Sequence, residues 1–231
     1  MLNPKTLQFL SKLKKNNSRE WFNQHRDDYD AAKENFIELV NEILANTSQF
    51  DQELSLLTYK DCIFRINRDV RFSKNKDPYK NNMAAYFVKG GKKSWLAGYY
   101  FHCEPGGKSF IGGGLYGGEP DQIKKVRQEI DYNWEDFKAI LNNKKFKKTF
   151  GDLSRQEGMS LVREPKGYDK DNPAIDYIKL KNFIVSVPVT DEELTEKQLV
   201  KKIINCFATM QPLLQFLNRA MERSEERRVG K

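Results

Sequence analysis

Residues 65–80 read RINRDVRFSKNKDPYK and place Arg65, Arg68 and Arg71 around Asp69, followed by Lys74, Lys76, Tyr79 and Lys80. Planar guanidinium forks match carboxylates and phosphates, and lysines add point charges. These residue types at this density describe an anion site built from Arg65, Arg68, Arg71, Lys76, Tyr79 and Lys80. Asp69 is the one catalytic candidate, as a residue that orients an arginine or acts as a general base. Tyr79 would donate a hydrogen bond or stack. Lys166, Tyr168 and Asp169, in the block PKGYD, could complete the site from a second loop. Residues 60–93 hold ten Lys/Arg against three Asp/Glu, a net of +7, in a chain whose net charge is +8.

A discrete cluster of cations implies a discrete anion. The first reading is therefore an enzyme or binding protein for a phosphorylated small molecule or a nucleotide. No nucleophile–base pair is legible, so a reaction is not specified, and neither is a cofactor. The alternative is a nucleic-acid-binding module, in which Phe72, Tyr79, Tyr86 and Phe87 interleave with the basic residues to stack bases. Against it, no known nucleic-acid motif is present, and the remainder of the chain is close to neutral. A third reading is an ion-pair network in a protein-interaction domain.

An extended stretch over 62–72 would position the arginines. Alternation then puts Cys62, Phe64, Ile66, Arg68, Val70 and Phe72 on one face, and Ile63, Arg65, Asn67, Asp69 and Arg71 on the other. Arg68 falls among apolar neighbours, where a guanidinium needs a distant carboxylate or a bound anion. Arg65 and Arg71 would lie about 20 Å apart on an ideal strand. Both can serve one anion only if the chain bends or folds back. Residues 73–78, with the turn signal Asp77-Pro78, can supply that return.

Leu7, Leu10 and Leu13 after Asn3-Pro4 predict a short first helix. Asn17 with Glu20 reads as the N-cap pair of a long amphipathic helix through Phe22, Tyr29, Phe36, Val40 and Ile43. Strands are expected over 83–88, 95–103, 109–116 and 183–189, with a shorter one over 159–163. Glu104-Pro105-Gly106-Gly107 is a hairpin signal. Helices are expected over 121–130, 134–141 and 143–150, then a helical turn after Asn172-Pro173. Thr190 with Glu193 and Thr195 with Gln198 match capping boxes ahead of a last helix that contains Pro212.

His25 and His102, the only histidines, are read as packed residues. Gly112, Gly114 and Gly117 match GxGxxG, but no βαβ unit surrounds them, so a dinucleotide fold is rejected. The favoured reading is a closely packed strand end. The alternative, backbone N–H groups cradling an anion ahead of a helix, keeps Gly113 and Gly114 as secondary candidates. The fold class is α+β: a single domain with an antiparallel sheet and helices mainly on one side.

The pattern Arg65, Arg68, Asp69, Arg71, Phe72, Asn75, Lys76, Pro78, Tyr79, Lys80 resembles the signature of a bacterial family catalogued as domain of unknown function 2461. Phe9-Leu10, Asn16-Asn17, Arg19, Trp21-Phe22 and Tyr29 resemble its N-terminal pattern. Tyr99-Tyr100, Gly112-Gly113-Gly114 with Tyr116, and Pro165-Lys166-Gly167-Tyr168-Asp169 resemble its later blocks. The chain departs from the family after Tyr116, where Gly117-Gly118-Glu119 precede Pro120. The resemblance supports one domain over 1–222 and carries no biochemical role with it.

At 231 residues, 39% hydrophobic and 31% charged, the chain has enough length for a sizeable core and a well-solvated surface. No apolar run approaches a membrane span, and the N-terminus lacks a signal-peptide core. Cys62, Cys103 and Cys206 are widely spaced and odd in number, as for reduced core thiols in a cytoplasmic protein. No Cys/His spacing suits zinc, and no metal site is expected. Residues 223–231, RSEERRVGK, look like one reading frame of a sequencing adapter and are set apart from the fold.

Overall fold

A computed structural model describes residues 1–155 and 158–229. Its fold class is α+β. Helix α1 (Pro4–Lys15) starts from Asn3, whose side chain accepts from the Lys5 N–H, with Pro4 in the first turn. There its missing N–H breaks no intrahelical bond. The long helix expected next is two helices, α2 (Arg19–Gln24) and α3 (Arg26–Thr47). Ser18 rather than Asn17 is the N-cap, its hydroxyl accepting from the Trp21 N–H. The break falls at His25, which leaves helical geometry at φ −113 and ψ 31. Its ring lies on Trp21 with centroids 4.0 Å apart, and its Nδ1 is 2.9 Å from the Trp21 carbonyl oxygen. This is a packed histidine, as the apolar spacing implied.

A short helix, α4 (Tyr59–Cys62), leads into the basic segment. Strands β1 (Met83–Phe87), β2 (Gly98–Cys103), β3 (Ser109–Leu115) and β4 (Phe183–Val189) form one antiparallel sheet in that order. The hairpin between β2 and β3 turns on Gly106 and Gly107, both at positive φ. Their N–H groups donate to the Asp191 carboxylate. Residues 159–163 form only a bridge, Ser160 to Leu180, in place of the expected strand.

The remaining helices are α5 (Pro120–Tyr132), α6 (Trp134–Asn142), α7 (Lys144–Phe150), α8 (Ile175–Ile178), α9 (Asp191–Thr195) and α10 (Leu199–Val229). The turn after Tyr116 is closed by the Gly117 N–H donating to Asn182 Oδ1 at 2.7 Å. Glu119 and Gln122 then make the capping box of α5. Thr190 and Glu193 form the expected box on α9. Thr195 instead ends that helix, its hydroxyl donating to the Glu192 carbonyl. The backbone of α10 continues through the segment set apart at Arg223, and the last two residues of that tail lie outside the described residues.

The residues group into two units. The first takes Met1–Ser94, Tyr100–Ile111 and Pro188–Asn205. Its core stacks Phe36 of α3 on Phe101 of β2, with Leu10, Leu13, Val40, Ile43 and Phe87 fully buried. Phe64, Tyr86, Tyr100, His102 and Phe110 remain only half-buried. The second takes Trp95–Tyr99, Gly112–Val187 and Cys206 onward. There Tyr99 stacks on Phe207 and Phe137 packs on Phe216. Gly113 and Gly114 fit the packed strand end. A Cβ on Gly113 would strike Met210 Sδ, and one on Gly114 would strike the Phe183 carbonyl.

Candidate functional site

The basic segment is not a strand over 62–72. Cys62 ends α4, and Ile63 bridges Ala85 of β1, with the Phe64 N–H donating to the Ala84 carbonyl at 3.0 Å. The chain then pairs with its own continuation. The Lys80 N–H donates to Ile66 at 2.8 Å, the Arg68 N–H donates to Pro78 at 2.9 Å, and Asn67 bridges Tyr79. Residues 69–77 form the loop of this narrow hairpin, which is the return the arginine spacing demanded. Asn75 Oδ1 accepts from the Asp77 N–H and sets the turn into Pro78. Asn17 clamps the returning arm, donating from Nδ2 to the Tyr79 carbonyl and accepting the Tyr79 N–H on Oδ1.

Side-chain alternation survives the change of structure. Ile66 is buried, Arg68 and Val70 are half-buried, and Arg65, Asn67, Asp69 and Arg71 are exposed. Phe72 breaks the pattern at 95% exposure. The pairing stops at Arg68, so nothing fixes the register as far as Phe72.

Arg65, Arg68 and Lys80 act on one another as a group of like charge. Burial holds the Lys80 amine below its ordinary range, and the charges of Arg65 and Arg68 press it further down. Lys80 Nζ donates to the Arg65 carbonyl at 3.0 Å and lies 5.6 Å from the centre of the Phe64 ring. None of the three makes an ion pair among the described residues, and Arg68 Nε is buried without a hydrogen-bond partner. The carboxylate that Arg68 was expected to need is not supplied by these residues.

The other predicted residues are already engaged. Arg71 grips Asp69 with both prongs, Nε to Oδ1 at 3.0 Å and Nη2 to Oδ2 at 2.7 Å. Those hydrogen bonds, with a smaller push from Arg65, hold the Asp69 carboxyl down at about 2. A carboxyl so acidic is a weak base, and the geometry is that of an orienting partner. Lys76 Nζ donates to the Val70 carbonyl at 3.0 Å, tying the loop to itself. Tyr79 is buried with its ring 3.9 Å from that of Phe22 and nearly parallel to it.

The secondary candidates belong to the second unit. Lys166 and Asp169 are exposed and Tyr168 is half-buried. The Tyr168 hydroxyl is pushed up by burial and by Asp131, against the pull of Arg127. Arg127 donates from Nη2 to the Leu180 carbonyl and keeps a buried, unpartnered Nε.

A second line of polar groups lies in the first unit. Tyr100, His102 and Glu104 follow one another at every second residue along and just beyond β2, so they share a face. The Tyr100 hydroxyl is 3.2 Å from His102 Nδ1, and His102 Nε2 is 3.3 Å from Glu104 Oε2. The tautomer that satisfies all three has Tyr100 donating to Nδ1 and Nε2–H donating to Glu104. Glu104 Oε1 also accepts from Asn81 at 3.1 Å, and Lys14 and Lys108 lie 3.9 and 3.7 Å away. Burial lowers the His102 pKa against the opposing influence of Glu104, and burial pushes the Tyr100 hydroxyl up to about 12. The sequence reading took His102 as a packed residue. The signal it passed over was the i, i+2, i+4 spacing of three polar groups on one strand face.

Phe64 joins the two clusters. Its ring lies 6.4 Å from that of Tyr100, and Lys80 sits over it. Among the described residues no group of three or more His, Cys, Asp or Glu could hold a metal ion, and no helix is long and apolar enough to cross a membrane.

A family profile described as conserved hypothetical protein (DUF2461) matches residues 5–216, and the chain belongs to that family. No curated protein and no solved structure matches it.

Proposed function

We propose that the first unit binds a phosphorylated small molecule or nucleotide through Arg65, Arg68 and Lys80. The observation that carries this reading is three neighbouring cations, none in an ion pair among the described residues, with the Lys80 amine lowered by burial and then by the charges of Arg65 and Arg68. Like charges held together on a folded backbone destabilise it, and an anion between them relieves the repulsion. Asp69 holds Arg71 at the edge of the group, while Lys76 stiffens the loop beside it.

The test is thermal unfolding with inorganic pyrophosphate. The wild type should gain several degrees at a hundredfold excess over Kd, by mass action. Lys80→Met and Arg68→Met should lose that gain while the unliganded melting temperature holds or rises, because each removes a repelling or unsatisfied cation. A gain that survives both substitutions places the anion elsewhere and overturns the reading.

A further inference from the structure

We propose that the half-buried aromatic face of Phe64, Tyr100, His102 and Phe110 receives the base of a nucleotide whose phosphate is held by Arg65, Arg68 and Lys80. The inference rests on the anion-binding reading and selects one ligand class from it. The rings are continuous: Tyr100 lies 5.5 Å from Phe110 and 6.4 Å from Phe64, while His102 stacks on Phe110 at 4.9 Å. Phe64 is also the ring beneath Lys80. The cationic cluster and the aromatic face therefore meet at one residue. A sugar phosphate would engage only the cations, whereas a nucleotide spans both.

The face has the chemistry a base needs. Each ring is partly open, and an aromatic surface accepts any base by stacking. The Tyr100 hydroxyl and His102 bring hydrogen-bonding groups to it, and Asn81 reaches the neighbouring Glu104. The opposite side of the sheet is closed by Phe36 on Phe101, so the two faces are not equivalent.

The number of available cations separates a nucleotide from a nucleic-acid strand. Arg71 is committed to Asp69 and Lys76 to the Val70 carbonyl. In the 65–80 segment Arg65, Arg68, Lys74 and Lys80 remain, enough for one mono- or diphosphate and fewer than the about six or more contacts of a tracked backbone.

Calorimetric titration of the full chain with adenosine 5′-monophosphate, ribose 5-phosphate and inorganic phosphate tests this. The nucleotide should bind about tenfold more tightly than ribose 5-phosphate, within the range that base stacking supplies. Tyr100→Ala should erase that difference and leave ribose 5-phosphate binding unchanged. Phe110→Leu keeps apolar bulk without a ring and should erase most of it, which guards against a Tyr100 variant that fails to fold. Equal affinities for the two ligands, both abolished by Lys80→Met, would overturn the stacking face and spare the anion site. Absence of binding by all three would overturn both. A twelve-nucleotide single-stranded RNA that binds more than about a hundredfold more tightly than the mononucleotide would overturn the one-nucleotide assignment in favour of a strand.

Discussion

His102 shows how a residue's surroundings decide its charge. Glu104 stands 3.3 Å from Nε2 and would favour the imidazolium, yet burial prevails and the folded pKa is lowered. The unfolded chain therefore binds more protons than the folded one in the window just below the ordinary histidine value of about 6.5. Stability is present in full above that value and falls as the pH drops through it. Tyr100 faces His102 directly, while Asn81, Lys14 and Lys108 face the Glu104 carboxylate beside it. Melting temperature measured from pH 7.5 to 5.5 should decline, and His102→Gln should flatten the decline. Only His25 shares the residue type, so the ring proton signals in a nuclear magnetic resonance titration are assignable by His25→Gln. An unchanged pH slope in His102→Gln would show that the histidine titrates alike in both states. Arg68 makes the complementary point. The sequence placed it among apolar neighbours and asked for a partner, and the described residues supply none to its buried Nε.

At the scale of elements, β3 ends where side chains no longer fit. Gly114 combines φ +124 with a Cβ position that would strike the Phe183 carbonyl and Ile184 Cα of β4. Gly107, in the hairpin turn, has φ +70 and open space around the same position. Gly107→Ala should cost only the left-handed backbone, about 1–2 kcal/mol. Gly114→Ala should cost clearly more, because the strand must also move off its neighbour. Urea unfolding of the two variants compares them directly, and equal losses would mean that β3 and β4 yield without strain. The four strands and most helices were legible because each has its own apolar period and turn residues. The division of the long helix at His25 was not. Its apolar spacing runs straight through, and the break is fixed by a ring stacked on Trp21 and by a cap on Ser18. The 66–80 hairpin was half legible. Alternation gave the correct side to residues 65–71, but any extended chain alternates, and the partner strand was its own continuation. The Tyr100–His102–Glu104 line was missed because apolar residues flank it on both sides, and the stretch read as a strand covered on both faces.

At the scale of the whole chain, charge is concentrated where the ligand is proposed to bind. Of a net +8, residues 60–93 hold +7. Such an asymmetry draws anions from a distance, but at ordinary ionic strength the attraction is screened beyond about 10 Å. What persists in salt is contact. A mononucleotide held by Arg65, Arg68 and Lys80 brings about two phosphate charges and no condensed counterion atmosphere to release, so salt weakens it only by screening. Raising salt from 50 to 200 mM should then weaken binding by less than about tenfold. A strand tracked by six or more cations, with Lys74, Lys76 and Arg71 recruited, would lose more than about a hundredfold over the same range. That recruitment would first have to strip Arg71 from Asp69 and Lys76 from the Val70 carbonyl. Titrations of adenosine 5′-monophosphate at the two salt concentrations, repeated with Asp69→Asn, measure the slope and the part these pairs play in it. Freeing Arg71 should raise affinity slightly and steepen the slope by less than one charge. A steep slope in the unmodified chain would show that the loop's cations are not committed as their hydrogen bonds imply, and that the basic segment binds as an extended surface.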